Sequence, residues 1–159
     1  MAGPQNTTTS TAVPRGAPTS RRRPVKTGDE EAGLRLRLGE FTNVQALSVA
    51  EVNLMLSQLE ARGENNQFRN TDIYLKTREY CKTFARFKDA SIVTQVNQIS
   101  TELTQRALGI TEFERAQLAS LCCDSADEAR TLIPSLEGKI SDDQLQAVLD
   151  DMSKLRDFS

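Results

Sequence analysis

Four times, a Ser or Thr is followed three residues later by Glu or Gln, just ahead of an apolar run. The pairs are Ser48 with Glu51, Thr111 with Glu114, Ser125 with Glu128, and Ser141 with Gln144. At this spacing the hydroxyl accepts from a backbone N–H in the first turn of a helix, and the longer side chain reaches back to the cap N–H. Each pair predicts a helix start. Apolar residues then recur at helical spacing. The first helix carries Val52, Met55, Leu56 and Leu59 and stops at Gly63. A second, over about 70–84, carries Ile73, Tyr74, Thr77, Tyr80, Cys81 and Phe84 as one broad stripe. Asp89 caps a third, with Ile92, Val93, Val96, Ile99 and Leu103. The fourth has Phe113, Ala116, Leu118, Leu121 and Cys122; the fifth has Ala129, Leu132 and Ile133 and stops at Pro134. The last has Leu145, Val148, Leu149 and Met152. The spacings are irregular, so the fold class is mainly α without an internal repeat.

One segment breaks the pattern. Gly33-Leu34-Arg35-Leu36-Arg37-Leu38-Gly39 alternates Leu and Arg, which is the period of a strand. No second convincing strand is visible, and a lone strand leaves its backbone groups unpaired. A partner's sheet edge is the natural place for it. Leu34, Leu36 and Leu38 are therefore candidate partner-binding residues, with Phe41 anchoring the turn into the helical body. Val52 and Met55 complete the candidate set.

Three regions follow from this reading. Residues 1–33 hold four of the five prolines among Ser, Thr, Gly and Ala, and are expected to be a disordered tail. Residues 34–47 form an extended docking segment, and 48–159 a helical domain. Residues 1–28 contain Arg15, Arg21, Arg22, Arg23 and Lys26 and no acid, so the remaining 131 residues carry a net charge of −7. The basic run at 21–26 reads equally as a nuclear import signal or a solvated cluster. An acidic body is a poor primary surface for nucleic acid. Arg78, Lys82, Arg86 and Lys88 form a small basic group, read as a solvated helix face rather than an RNA-facing patch.

Composition argues against catalysis. Histidine is absent, which removes the commonest general base and transition-metal ligand. Cys81, Cys122 and Cys123 form no CxxC pair and are expected to be reduced, buried thiols. Asp142, Asp143, Asp150 and Asp151 read as a helix start and a solvated face rather than a cation site. No catalytic, cofactor-binding or metal residue is assigned. No apolar run has the length of a membrane span, and the chain is expected to be soluble and intracellular.

Four stretches in order resemble a known family. They are Glu40–Leu56 (EFTNVQALSVAEVNLML), Thr83–Lys88 (TFARFK), Glu112–Cys122 (EFERAQLASLC) and Ala126–Met152 (ADEARTLIPSLEGKISDDQLQAVLDDM). Together they resemble the fourth-largest subunit of eukaryotic RNA polymerase II, across residues 34–157. The resemblance implies a helical bundle similar to the helicase-and-RNase-D C-terminal fold, with a short N-terminal strand that pairs with a partner subunit. It implies a nuclear, non-catalytic stalk subunit without a cofactor, heterodimerising with the seventh subunit and attached to the polymerase core. That stalk lies near the RNA exit channel, supports initiation and clamp closure, and touches nascent RNA mainly through the partner. The equivalent subunit of polymerase III and a free-standing helical nucleic-acid-binding module are the alternative readings. The basic tail lies outside the family's common core.

Overall fold

The computed structural model describes residues 30–42, 44–63, 67–106 and 109–156. The tail at 1–29, including its basic run, lies outside the described residues. Among the described residues, six helices follow a small hairpin: α1 (Val49–Ala61), α2 (Asp72–Phe84), α3 (Ala90–Arg106), α4 (Glu112–Leu121), α5 (Ala126–Leu132) and α6 (Asp142–Arg156). The fold is mainly helical, as the periodicity predicts.

The caps explain where the helices begin. Ser48 with Glu51, and Thr111 with Glu114, form full reciprocal boxes. The other two pairs are half boxes. Ser125 accepts from the Glu128 N–H, but the Glu128 carboxylate turns to the Asp124 N–H at 2.9 Å. Ser141 accepts from the Gln144 N–H at 3.4 Å. The Asp89 carboxylate accepts from the N–H groups of Ser91 and Ile92, which caps α3. Thr71 caps α2 through the Tyr74 N–H.

The core has two adjoining parts. One gathers Leu118, Ile133, Leu136, Leu145 and Leu149. The other gathers Phe87, Val93, Val96, Ala119, Cys122 and Met152. Neighbours on α4 (Leu118 and Ala119) and on α6 (Leu149 and Met152) fall in different parts, so these two helices join them. α3 packs on both α4 and α6. Pro134 starts a 3-10 turn (Pro134–Leu136) that buries Leu136 between α5 and α6. α4 ends on Cys122 in the left-handed conformation, where Gly is usual, and the Cys122 side chain is buried.

Two expectations need correction. The strand signal does not lack an intrachain mate. β1 (Glu31–Ala32) pairs antiparallel with β2 (Leu36–Arg37), with Glu31 opposite Arg37 and Ala32 opposite Leu36. Glu31 and Ala32 are too few and too mixed to show alternation, and they fall within the segment read as tail. Leu34 consequently sits in the connecting turn, so Leu34, Leu36 and Leu38 do not line one strand face. The second correction concerns α2. Of its expected apolar stripe only Cys81 is buried, and Ile73 is 81% exposed.

This division sets energies. Leu149→Ala is expected to destabilise the isolated chain by about 2–5 kcal/mol, because Leu149 is enclosed on all sides. Ile73→Ala should change stability by less than about 0.5 kcal/mol, as its side chain already faces solvent. Urea denaturation of the two variants checks the contrast.

Candidate docking surface

The exposed apolar surface begins in the N-terminal arm. After β2, Gly39 adopts a positive φ of 53° against the Glu30 side chain, and a 3-10 turn runs from Gly39 to Phe41. The Thr42 hydroxyl closes the turn on the Gly39 carbonyl at 2.8 Å. The chain then reaches α1, where it is fastened. Arg115 donates to the Ala46 carbonyl at 2.6 Å, and the Val49 N–H donates to the Ser120 hydroxyl at 3.1 Å. Ser48 is buried between these two ties.

The fastening leaves the arm's apolar side chains outside. Leu34 is 72% and Phe41 63% exposed, while Leu36 and Leu38 are half-buried. On α1, Val52 is half-buried and Met55 is 50% exposed. Every residue of the candidate set therefore retains solvent-facing surface. Val44 and Leu47, which are not in the candidate set, are exposed beside them in the chain.

The larger omission lies on α2. Ile73, Tyr80 and Phe84 recur along one face and all three are exposed. The inward face is the adjacent one, rotated by one residue: Tyr74 and Arg78 bond to α1, and Cys81 is buried. Both stripes have helical spacing. The sequence reading merged the two into one, without the charged Arg78 at the centre of the second.

Arg78 is the centre of the α1–α2 contact. Its guanidinium donates to Glu60 at 2.8 and 3.0 Å, to Asn53 at 2.5 Å and to Ser57 at 3.0 Å. The Tyr74 hydroxyl donates to the same Glu60 carboxylate at 3.1 Å. The Arg78 hydrogen bonds hold the Glu60 carboxyl below its usual range, and Tyr74 adds to this. Burial and the neighbouring Glu60 push the Tyr74 phenol up. Arg69 adds a further bond to the Leu59 carbonyl. Arg78 is thus withdrawn from the basic group in which the sequence placed it.

Several acids near the C-terminus are engaged structurally. Arg130 pairs with Asp142 at 2.6 Å, Gln146 donates to Asp150 at 2.9 Å, and Lys154 pairs with Asp151 at 2.9 Å. Among the described residues, no group of three or more Cys, Asp or Glu is arranged to hold a metal ion. Cys81, Cys122 and Cys123 are free thiols and all are buried. Burial pushes each thiol up, Cys123 to about 11, which disfavours the reactive thiolate. Among the described residues no helix is long and apolar enough to cross a membrane.

These features define a helical scaffold with an exposed apolar arm and an exposed apolar helix face. The family model described as RNA polymerase Rpb4 matches residues 46–156, starting at the residue that Arg115 holds. A DNA-directed RNA polymerase II subunit rpb4 of Schizosaccharomyces pombe is 44% identical over 135 residues, covering 81% of this chain and 94% of that protein. DNA-directed RNA polymerase II subunit 4 of Arabidopsis thaliana is 33% identical over 82% of this chain and 96% of its own length. The Saccharomyces cerevisiae subunit RPB4 is 41% identical over 104 residues, which are 65% of this chain and 42% of that relative. The chain belongs to the RNA polymerase Rpb4 family.

The Arg78 contact carries a pH signature. The folded-state carboxyl of Glu60 lies below its unfolded value, so its contribution is full above the unfolded value and fades as pH falls through the folded one. Arg78→Ala leaves polar partners unsatisfied and should lower stability near neutral pH by about 1–3 kcal/mol. Urea titrations between pH 7 and pH 3 are expected to show the gap between wild type and variant narrowing with acid. A gap independent of pH would mean that Glu60 is not the partner that matters.

Proposed function

We propose that this chain is a non-catalytic subunit of nuclear DNA-directed RNA polymerase II and docks through its arm and α1 on the seventh subunit. The observation that carries this reading is the exposed arm, with Leu34 and Phe41 in solvent, fastened to α4 at Ala46 and Val49 in a chain of this family. The relatives' names supply the enzyme, and the arm supplies the means of attachment.

The docking chemistry follows from the arm's two assets. A two-stranded hairpin is marginal alone and leaves outer edges that another strand can join. Its apolar residues then gain by leaving water. The pair of subunits forms the stalk beside the RNA exit channel, where it supports initiation and clamp closure. The chain contributes no catalytic group to nucleotidyl transfer. Glu114, Arg115 and Arg130 serve helix caps, ion pairs and packing instead.

The test uses Leu34→Asp with Phe41→Asp, because both side chains are exposed in the isolated chain and their loss should leave the helices intact. Each side chain buried in a complex contributes about 1.5–3 kcal/mol, so the double variant should weaken association at least about a hundredfold. Circular dichroism should report unchanged helix content, and co-purification with the seventh subunit should fail. Binding of the double variant at wild-type affinity would show that the arm is not the docking element.

A further inference from the structure

The exposed face of α2 ends in a feature that the docking arm does not use. Tyr80 and Phe84 lie one turn apart with ring centroids 4.6 Å apart and planes tilted by 36°. Both residues are more than half exposed, at 54% and 56%. Phe84 also lines an open cavity of about 450 Å³, together with Thr83, Ala85, Arg86, Lys88 and Arg156.

The cations of this cavity are placed by the core. The chain leaves α2 in an extended conformation at Ala85. Ala85 and Phe87 are buried, while Arg86 and Lys88, which alternate with them, are exposed. Arg86 and Lys88 alone could be explained as partners for the negative end of α2. Arg156 cannot, since it belongs to α6, where Asp124 at 3.0 Å and Ser153 at 3.3 Å hold it. Arg86 and Arg156 both act on the buried Cys122 thiol, favouring its anion against the larger effect of burial. The two guanidinium groups therefore converge on one place in the fold. None of the lining residues is an acid, and the Asp89 carboxylate, next in the chain after Lys88, is turned to the N–H groups that start α3.

We infer that Tyr80, Phe84 and this cavity form a docking site for a phosphorylated, proline-containing peptide segment of another protein, with the proline against the rings and the phosphate among Arg86, Lys88 and Arg156. Each half of the site selects one half of that ligand. A carboxylate brings one charge and two acceptor oxygens, whereas a phosphate monoester brings nearly two charges and three oxygens, which suits a cluster of three cations. The open rings favour an apolar group that settles on them with little ordering cost. Proline is such a group, because it holds its peptide in the extended polyproline conformation before binding. An Asp- or Glu-rich peptide would leave the rings idle, and an unmodified proline-rich one would leave the cations idle. Phe84 belongs to both halves, which sets the spacing of the ligand. At about 3.1 Å per residue in that conformation, the proline and the phosphorylated residue must be neighbours or next neighbours in the peptide. One phosphate needs only a local cluster, which is how the site coexists with an acidic body. The site consists of other residues than the arm, so it does not depend on docking to the seventh subunit.

Fluorescence anisotropy of the full-length chain with a labelled peptide, in which phosphoserine precedes proline in a Gly and Ser background, tests the proposal. Three companion peptides carry serine or glutamate in place of phosphoserine, or alanine in place of proline. Loss of the phosphate, with either replacement, should weaken binding at least about tenfold. Loss of the proline should weaken it about threefold or more. Phe84→Leu should erase the preference for proline and keep that for phosphate, whereas Arg86→Gln with Lys88→Gln should do the reverse. Circular dichroism of each variant controls for folding. These crossed outcomes separate a composite site from general attraction between charges. Equal binding of the phosphoserine and glutamate peptides, a proline preference that survives in Phe84→Leu, or displacement of the phosphopeptide by an equal amount of oligouridylate would each overturn it.

Discussion

Two oppositely charged residues, side by side on α4, hold the rest of the structure in register. Glu114 and Arg115 are both buried, and successive positions on a helix point about 100° apart, so they reach different neighbours. The Glu114 carboxylate accepts from the Thr111 backbone and hydroxyl, from the Ser135 hydroxyl, and from Lys139 at 2.6 and 2.8 Å. It ties the start of α4 to the turn between α5 and α6. The Arg115 guanidinium reaches Glu112 at 2.9 Å, Asn97 at 2.6 Å and the Ala46 carbonyl at 2.6 Å. It ties α4 to α3 and to the arm. Removing one member of such a buried set leaves charge uncompensated and costs about 3–5 kcal/mol. These ties fix where the apolar layers meet, and they deliver the arm to a defined point on the body.

The second polar centre, at Arg78, works differently. It joins α1 to α2 on a surface where α2 buries only Cys81. Burial of apolar area contributes little there, so the hydrogen bonds of Arg78 decide the packing angle. A helix with few buried apolar side chains opens at lower free energy than the core. α2 is therefore open to adjustment, and its outward face can be completed by a ligand or partner without dismantling the core.

Much of this was readable in the sequence. The capping pairs located four helix starts, because a cap depends only on residues three apart. The periodicity of α3 and α6 identified Val93, Val96, Leu145 and Leu149 as core, since in each helix a single apolar stripe was available. α2 was misread because two stripes one residue apart merge into one broad stripe in the sequence, and most of it does not pack. The hairpin was half visible, because β2 alternates and β1 does not. Of the candidate docking residues, the arm's Leu34 and Phe41 were legible as apolar residues with nothing nearby in sequence to cover them. Ile73, Tyr80 and Phe84 were not, because spacing that marks a core stripe also marks an exposed one.

The sequence by itself determined the helices, their starts and the presence of an apolar arm, because these follow from contacts within a few residues. It also carried the family resemblance. Only the tertiary structure decided which charges are interior. Glu114 reads locally as a cap and Arg78 as part of a basic group, while Arg115 carries no local signal. Their roles arise from Lys139, Ala46 and Glu60, which lie 25, 69 and 18 residues away along the chain. A charge is buried only where distant segments bring its partners together, and no local pattern records that meeting.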